Sequence, residues 1–208
     1  MPFRMSSGMR NKMLTTVADG GKPLAELLDG GMIEVRSGSQ PASGDAVETG
    51  TLLFRVTLDP GGDIQTSGAL VEGDMYRVVD AGTSPDFANV TSETIAANLV
   101  FVATASAEPT SWDGVQLRKD VGLSFQAASS GKITKSSAVT WKGIAEAGGA
   151  AGWFRYYDST LTRGESTTAV RFDGHIATAG SQMNMVSTTV AMGSSQTVDE
   201  FEVSIPAS

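Results

Sequence analysis

The sequence contains no cysteine and a single histidine among its 208 residues, and these two absences exclude much of the chemistry that proteins perform. Without cysteine there is no disulfide, no thiolate nucleophile and no cysteine-ligated zinc or iron–sulfur centre. Any hydrolase triad would depend on His175, and no G-x-S-x-G nucleophile elbow accompanies it. Calcium ligation stays open as the less favoured alternative, through carboxylates that lack the D-x-[DN]-x-[DN]-G loop: Asp59, Asp63, Asp74 and Asp80. We predict a non-enzymatic protein with no cofactor and no metal site.

Charged residues and long apolar runs are also scarce. Only 18% of the residues are charged, against roughly a quarter in typical soluble domains. The formal net charge of −8 has the wrong sign for a protein that coats nucleic acid. No run of about 18 apolar residues occurs, and the first residues lack the apolar segment of a signal peptide. We therefore expect neither a nucleic-acid nor a membrane partner, and synthesis in a reducing cytoplasm.

The first 29 residues are predicted to form an N-terminal helical arm. Met9, Met13, Leu14 and Val17 recur at the spacing of a helical stripe, and Pro23 suits the start of a second helix over 22–28. Basic side chains dominate residues 1–24, which carry a net charge of +3: Arg4, Arg10, Lys12 and Lys22 against Asp19. We expect this arm to dock on a protein neighbour and to be removable without loss of the remaining fold.

Beyond residue 30 the apolar period changes to two, which is typical of β-strands. Alternating runs occur at 32–36, 51–58, 138–145, 152–157, 169–173, 182–190 and 200–205, separated by Gly-, Ser- and Thr-rich turns. Such a pattern predicts an all-β fold: a jelly-roll-like antiparallel β-sandwich built from 30–58 and 120–208.

The middle segment, 59–119, is predicted to be a small inserted β-module. It opens on a turn signal at 59–62 and holds nine acidic and three basic residues, a net charge of −6. Strands are expected at 75–79, 99–104 and 114–118. Its aromatic residues supply area for a separate core: Tyr76, Phe87, Phe101 and Trp112.

One strand, 152–157, is unusually aromatic. Because neighbouring side chains point to opposite faces, Trp153, Arg155 and Tyr157 share one face, while Phe154 and Tyr156 share the other. One face must belong to the core. The other is predicted to be a subunit interface, with an exposed sugar-stacking platform as the less favoured alternative.

Three passages of the chain resemble a family of tailed-bacteriophage virion structural proteins. They are IEVRSGSQPASGD with TGTLL (33–45 and 49–53), AAGWFR (150–155), and the closing strand–turn–strand at 183–203. The insert resembles a second recurrent phage module, through GDMYRVV (73–79), GT (82–83), DF (86–87), Asn98 and VF (100–101).

The resemblance implies a virion component assembled in the host bacterial cytoplasm. The favoured role is a capsid decoration or cement protein that binds the major capsid protein or other virion proteins and forms a homo-oligomer. The alternatives are a head–tail junction, collar, tail or fibre-base protein, and a module that binds host surface glycans. The residues predicted to contact capsid or neighbouring subunits are Arg4, Met9, Arg10, Lys12, Met13, Trp153, Arg155 and Tyr157.

Overall fold

A computed structural model describes residues 3–58 and 63–204 of the chain. The chain divides into two compact units, Met1–Thr57 with Leu123–Ser208, and Leu58–Gly122. The sequence places the borders of the insert at 59 and 119, and the turn predicted at 59–62 lies outside the described residues. Ile205, expected in the last strand, also lies outside them.

Strands dominate both units, as the alternating sequence predicts. The described elements are, in chain order, β1 Arg4–Met5, α1 Ser7–Leu14, a 3₁₀ turn Val17–Asp19, α2 Leu24–Leu28, β2 Met32–Ser37, β3 Leu52–Val56, β4 Ile64–Gln65, β5 Met75–Ala81, β6 Val100–Val102, β7 Val115–Asp120, β8 Lys132–Thr134, β9 Trp141–Ile144, β10 Gly149–Tyr157, β11 Arg171–Ala177, β12 Met183–Asn184, β13 Thr189–Val190, β14 Ser195–Val198 and β15 Glu202–Ser204.

The first unit is built on a seven-stranded sheet. Its strands follow the order β1-β11-β10-β2-β3, with β12 beside β11 and β13 beside β10. Every pairing is antiparallel except that of β11 with β12. Two further antiparallel pairs, β9 with β14 and β8 with β15, complete this unit. The predicted all-β, sandwich-like fold is thus confirmed.

One face of the seven-stranded sheet carries an aromatic core. Tyr156 and Phe172, on neighbouring strands, stack with their ring centres 5.1 Å apart. Trp141 of β9 and Phe201, which precedes β15, pack together over this face. The ring centre of Phe201 lies 5.8 Å from that of Phe154. Phe154, Tyr156 and Phe172 are all buried, as expected of a face that gains apolar contact from a second layer.

The N-terminal segment is part of this sheet, which corrects the prediction of a removable helical arm. Arg4 and Met5 pair with Asp173 and Phe172 as an edge strand, so the segment is not wholly helical. The predicted stripe is also wrong, because the helix ends at Leu14 and both Leu14 and Val17 lie in solvent, 86% and 76% exposed. Deletion of 1–20 would remove a strand and is expected to destabilise the unit.

The second unit has its own sheet and its own core. Strands β4-β7-β5-β6 pair in that order, all antiparallel. Three of these strands fall where the sequence predicts them. The core is formed by Leu70, Tyr76, Val78, Phe87, Val90, Leu99, Phe101, Ala103, Val115 and Leu117, with Trp112 packed against it. The aromatic cluster predicted for the insert is therefore confirmed.

Candidate functional site

The aromatic part of β10, residues 153–157, is buried on both faces of the strand. Trp153, Arg155 and Tyr157 are 0%, 0% and 1% exposed, and Phe154 and Tyr156 on the other face are equally buried. The prediction that one face forms an interface or a sugar platform is therefore wrong for this strand. A side chain that is sealed inside its own chain cannot contact a neighbour or stack on a glycan.

Arg155 belongs instead to a row of alternating charges that crosses the sheet. The strand register places Arg4 opposite Asp173, Asp173 opposite Arg155, Arg155 opposite Glu34, and Glu34 opposite Arg55. Opposite charges that face each other across strands stabilise the pairing of those strands. Two of these pairs are also ion pairs, Arg155 with Asp173 and Arg55 with Glu34, and they stabilise the pairing of β10 with β11 and of β2 with β3.

The centre of the row is a two-point ion pair. Arg155 Nε and Nη2 donate to the two carboxylate oxygens of Asp173 at 2.6 and 2.8 Å. Burial opposes the charge on Arg155, but the Asp173 carboxylate outweighs burial and raises the pKa of the guanidinium. The guanidinium also lies 5.6 Å from the ring centre of Trp153. Both contacts hold the cation in one geometry, which the planar guanidinium suits better than an ammonium group.

Glu34 follows Arg155 in the row, and its carboxylate forms ion pairs with three arginines. Its carboxylate accepts from Arg36 Nη2 at 2.9 Å, Arg163 Nε at 3.0 Å and Arg55 Nε at 3.2 Å. Complete burial acts to raise the pKa of Glu34, but Arg163, Arg55 and Arg36 together lower it to about 2. The carboxylate is thus ionised throughout the neutral range, and it holds β2, β3 and the loop after β10 together.

Glu48 fastens the loop between β2 and β3 to the same face. It accepts from Arg155 Nη1 at 2.9 Å, from the Tyr157 hydroxyl at 2.7 Å and from the backbone N–H of Gly164 at 3.1 Å. Burial and the neighbouring carboxylates of Glu34 and Glu48 raise the pKa of Tyr157, so the phenol remains a donor. The charged row is therefore covered by protein.

Arg171 fastens an adjacent part of the loop. Its guanidinium donates to the backbone carbonyls of Gly44 at 2.7 Å and Asp45 at 2.8 Å, and it is fully buried. Asp45 in turn accepts from the backbone N–H and the hydroxyl of Ser7, at 2.7 and 2.6 Å. The loop consequently connects the charged row to the first turn of α1.

The carboxylates of this network are all held in ion pairs inside the fold. Glu34 and Asp173 are fully buried and Glu48 nearly so, and each is bonded to at least one guanidinium. A general acid or base must reach a substrate proton, which these groups cannot do beneath their covering loop. We therefore regard the network as the structural element that holds the N-terminal segment and the loop in place.

The N-terminal residues predicted to dock are separated by the structure into anchors and exposed groups. Met9 is fully buried, Met13 half-buried, and Arg4 half-buried with its guanidinium on the Pro41 carbonyl. Arg10 and Lys12 lie on the exposed side of α1. Of the predicted contact residues, these two are the exposed ones, and within the chain Arg10 Nη2 donates to the Ser7 hydroxyl at 3.0 Å and Lys12 Nζ to the Gly20 carbonyl at 3.3 Å.

Three further findings concern the lone histidine, a cavity and the metal-ligating side chains. His175 bonds through Nδ1 to the Ser181 hydroxyl at 2.8 Å. A cavity of about 180 Å³ lies between α1 and residues 167–168, well below the roughly 300–1,000 Å³ of small-molecule sites. Residues 3–58 and 63–204 contain no cluster of metal-ligating side chains. Asp59, one of the four candidate calcium ligands, lies outside these ranges. No helix among the described residues is long and apolar enough to cross a membrane.

Comparison with known proteins adds no relative. No family model matches the chain, and neither the curated proteins nor the solved structures give a significant match.

Proposed function

We propose that this chain is a non-enzymatic structural protein of a tailed-phage virion, which decorates the capsid by binding the major capsid protein. The sequence passages that resemble virion proteins support this proposal. The buried ion pairs also support it, because the carboxylates of Glu34, Glu48 and Asp173 are all bonded to guanidinium groups inside the fold. The chain acts by fitting against protein neighbours.

The observation that carries the proposal is the way α1 is mounted. Its inner side is fixed by buried Met9 and by Ser6, whose hydroxyl accepts from the Met9 N–H at 3.1 Å. Its outer side directs Arg10 and Lys12 into solvent. Because the helix backbone is already fixed, binding through these side chains does not also have to order the segment, so a modest number of ion pairs suffices. Repetition over a particle multiplies such weak contacts.

The acidic unit has the complementary role. Residues 59–119 carry a net charge of −6, while residues 1–24 carry +3. An acidic unit repels its equivalents on neighbouring particles and keeps them dispersed. The basic segment then faces an acidic region of the capsid surface.

The test is co-sedimentation of the purified chain with capsids that lack it. The double variant Arg10→Glu, Lys12→Glu is expected to lose binding, and binding by the wild-type chain should weaken as salt is raised. The matched control is Lys132→Glu, a charge reversal of a half-exposed lysine on β8, which should bind like the wild type. Equal binding by all three proteins would refute docking through α1.

Copy counting in purified virions, by quantitative mass spectrometry, separates the possible locations. Copies in the hundreds support a decoration role. A small number that matches the symmetry of the tail axis would instead place the protein at the head–tail junction, collar, tail or fibre base. Absence of the chain from mature particles would overturn the proposal altogether.

A further inference from the structure

The groove that holds the N-terminal segment makes contacts specific to residues 6–9. The Ser6 hydroxyl donates to the Ala169 carbonyl at 2.7 Å and accepts from the Arg171 N–H at 3.2 Å. Ser7 bonds to Asp45 through both its N–H and its hydroxyl, and Met9 is fully buried. Any copy of the same segment would make the same contacts in this groove.

The connection between this segment and α2 has the properties of a hinge. Residues 15–20 are exposed throughout, and the backbone N–H groups of Thr15 and of residues 19–22 donate to carbonyls within residues 11–17. A tight turn closes it: Gly20 has φ of 87°, and a Cβ on Gly21 would lie 1.8 Å from the Thr15 carbonyl oxygen. If that turn opens, the nine residues 15–23 can span about 30 Å, enough to reach a neighbouring molecule.

Two apolar side chains, at the end of α1 and in the connection after it, are largely exposed to solvent. Leu14 is 86% exposed and Val17 is 76% exposed. We propose that two copies of this chain exchange their N-terminal segments, each placing residues 3–14 in the groove of the other, with Leu14 and Val17 of the two hinges packed together. Such exchange reuses the contacts of residues 3–14 with the groove, loses the hydrogen bonds of the turn at 16–22 and adds the hinge contact, which makes it a low-cost route to a dimer.

The absence of cysteine permits a direct test. One copy carries Ser7→Cys and one purification tag, and the other carries Asp45→Cys and a different tag. In the native chain the Ser7 hydroxyl oxygen lies 2.6 Å from an Asp45 carboxylate oxygen. The two proteins are unfolded together, refolded and oxidised without capsids, so the result is independent of the docking proposed above. Exchange predicts a covalent heterodimer that carries both tags.

A matched control and a second variant keep this test decisive. Replacing the Asp45→Cys copy by one with Ser195→Cys, an exposed position on β14, should abolish the heterodimer. The chain with both Ser7→Cys and Asp45→Cys should form linked dimers. Closure of that disulfide within single copies, together with no more heterodimer than the control gives, would overturn the proposal.

The hinge contact is tested separately by light scattering during size-exclusion chromatography. The double variant Leu14→Ser, Val17→Ser is expected to weaken dimerisation roughly tenfold or more, because burial of two apolar side chains is lost. Met192→Ser, at an equally exposed methionine (76%), should leave it unchanged. A wild-type chain that stays monomeric at every concentration would contradict the exchange.

Discussion

Neutralising Glu34 tests whether the charged row stabilises the fold. The pKa of Glu34 is lowered from 4.5 to about 2, and at 1.36 kcal/mol per pKa unit the folded state favours its charge by about 3 kcal/mol. Glu34→Gln keeps the shape of the side chain but leaves Arg36, Arg55 and Arg163 around a neutral group. We therefore expect a loss of about 3 kcal/mol of unfolding free energy at pH 7.

The same pKa shift predicts how this loss depends on pH. A carboxylate with a depressed folded pKa contributes its full stability above the unfolded value of 4.5, and the contribution disappears as pH falls through about 2. The wild type should thus lose more stability in acid than Glu34→Gln, which keeps only the depressed pKa values of other carboxylates such as Asp45 and Glu48. The difference between the two should shrink from about 3 kcal/mol at pH 7 to about 1 kcal/mol at pH 3.

Urea unfolding followed by tryptophan fluorescence measures this difference. Trp141 and Trp153 belong to the first unit and Trp112 to the second, so a Trp112→Phe background restricts the signal to the unit that contains Glu34. The control is Glu202→Gln, which removes a half-exposed pair with Lys132 and should cost at most about 1 kcal/mol. Equal losses for the two variants, or a Glu34→Gln loss that is the same at pH 7 and pH 3, would refute the reasoning.

Two further substitutions test the covering loop and the mount of α1. Tyr157→Phe removes the 2.7 Å hydrogen bond to Glu48 and should cost about 1.5–3 kcal/mol in urea unfolding, the range for a bond to a charged group; an unchanged midpoint would show that this hydrogen bond does not stabilise the fold. Gly8→Ala would place a Cβ 2.2 Å from the Thr168 carbonyl oxygen and should lower the melting temperature by displacing α1. Gly148→Ala, where the nearest atom is 3.5 Å away, is the control, and equal melting temperatures for both variants would contradict this account.

The parts of the fold that sequence alone predicts are those with a local signal. The strand at Met75–Ala81 alternates and packs Tyr76 and Val78 into a core drawn from its own unit. By contrast, β1 is two residues long and exists because β11, distant in sequence, offers it an edge. No periodicity reports a strand of that length, which is why the N-terminal segment reads as a helix alone.

The sequence alone does not reveal the charged row, for a related reason. Arg55 and Arg155 each alternate with apolar residues, and such alternation ordinarily marks a solvated outer face. Their partners, Glu34 and Asp173, lie on other strands, so the pairing becomes visible only when strand order and register are known. The available signal is one arginine within each of β3 and β10 and one acidic residue within each of β2 and β11, which also carry Arg36 and Arg171.

The inserted unit begins and ends at adjacent points of its backbone. The N–H of Leu58, the first residue of this unit, donates to the carbonyl of Val121, the residue before its last, at 3.0 Å. A domain whose ends meet in this way can be gained, lost or exchanged in evolution as a cassette, since its removal requires only a short bridge between two neighbouring points. The same geometry makes this position a suitable place to graft a foreign epitope or a fluorescent reporter onto the host sandwich.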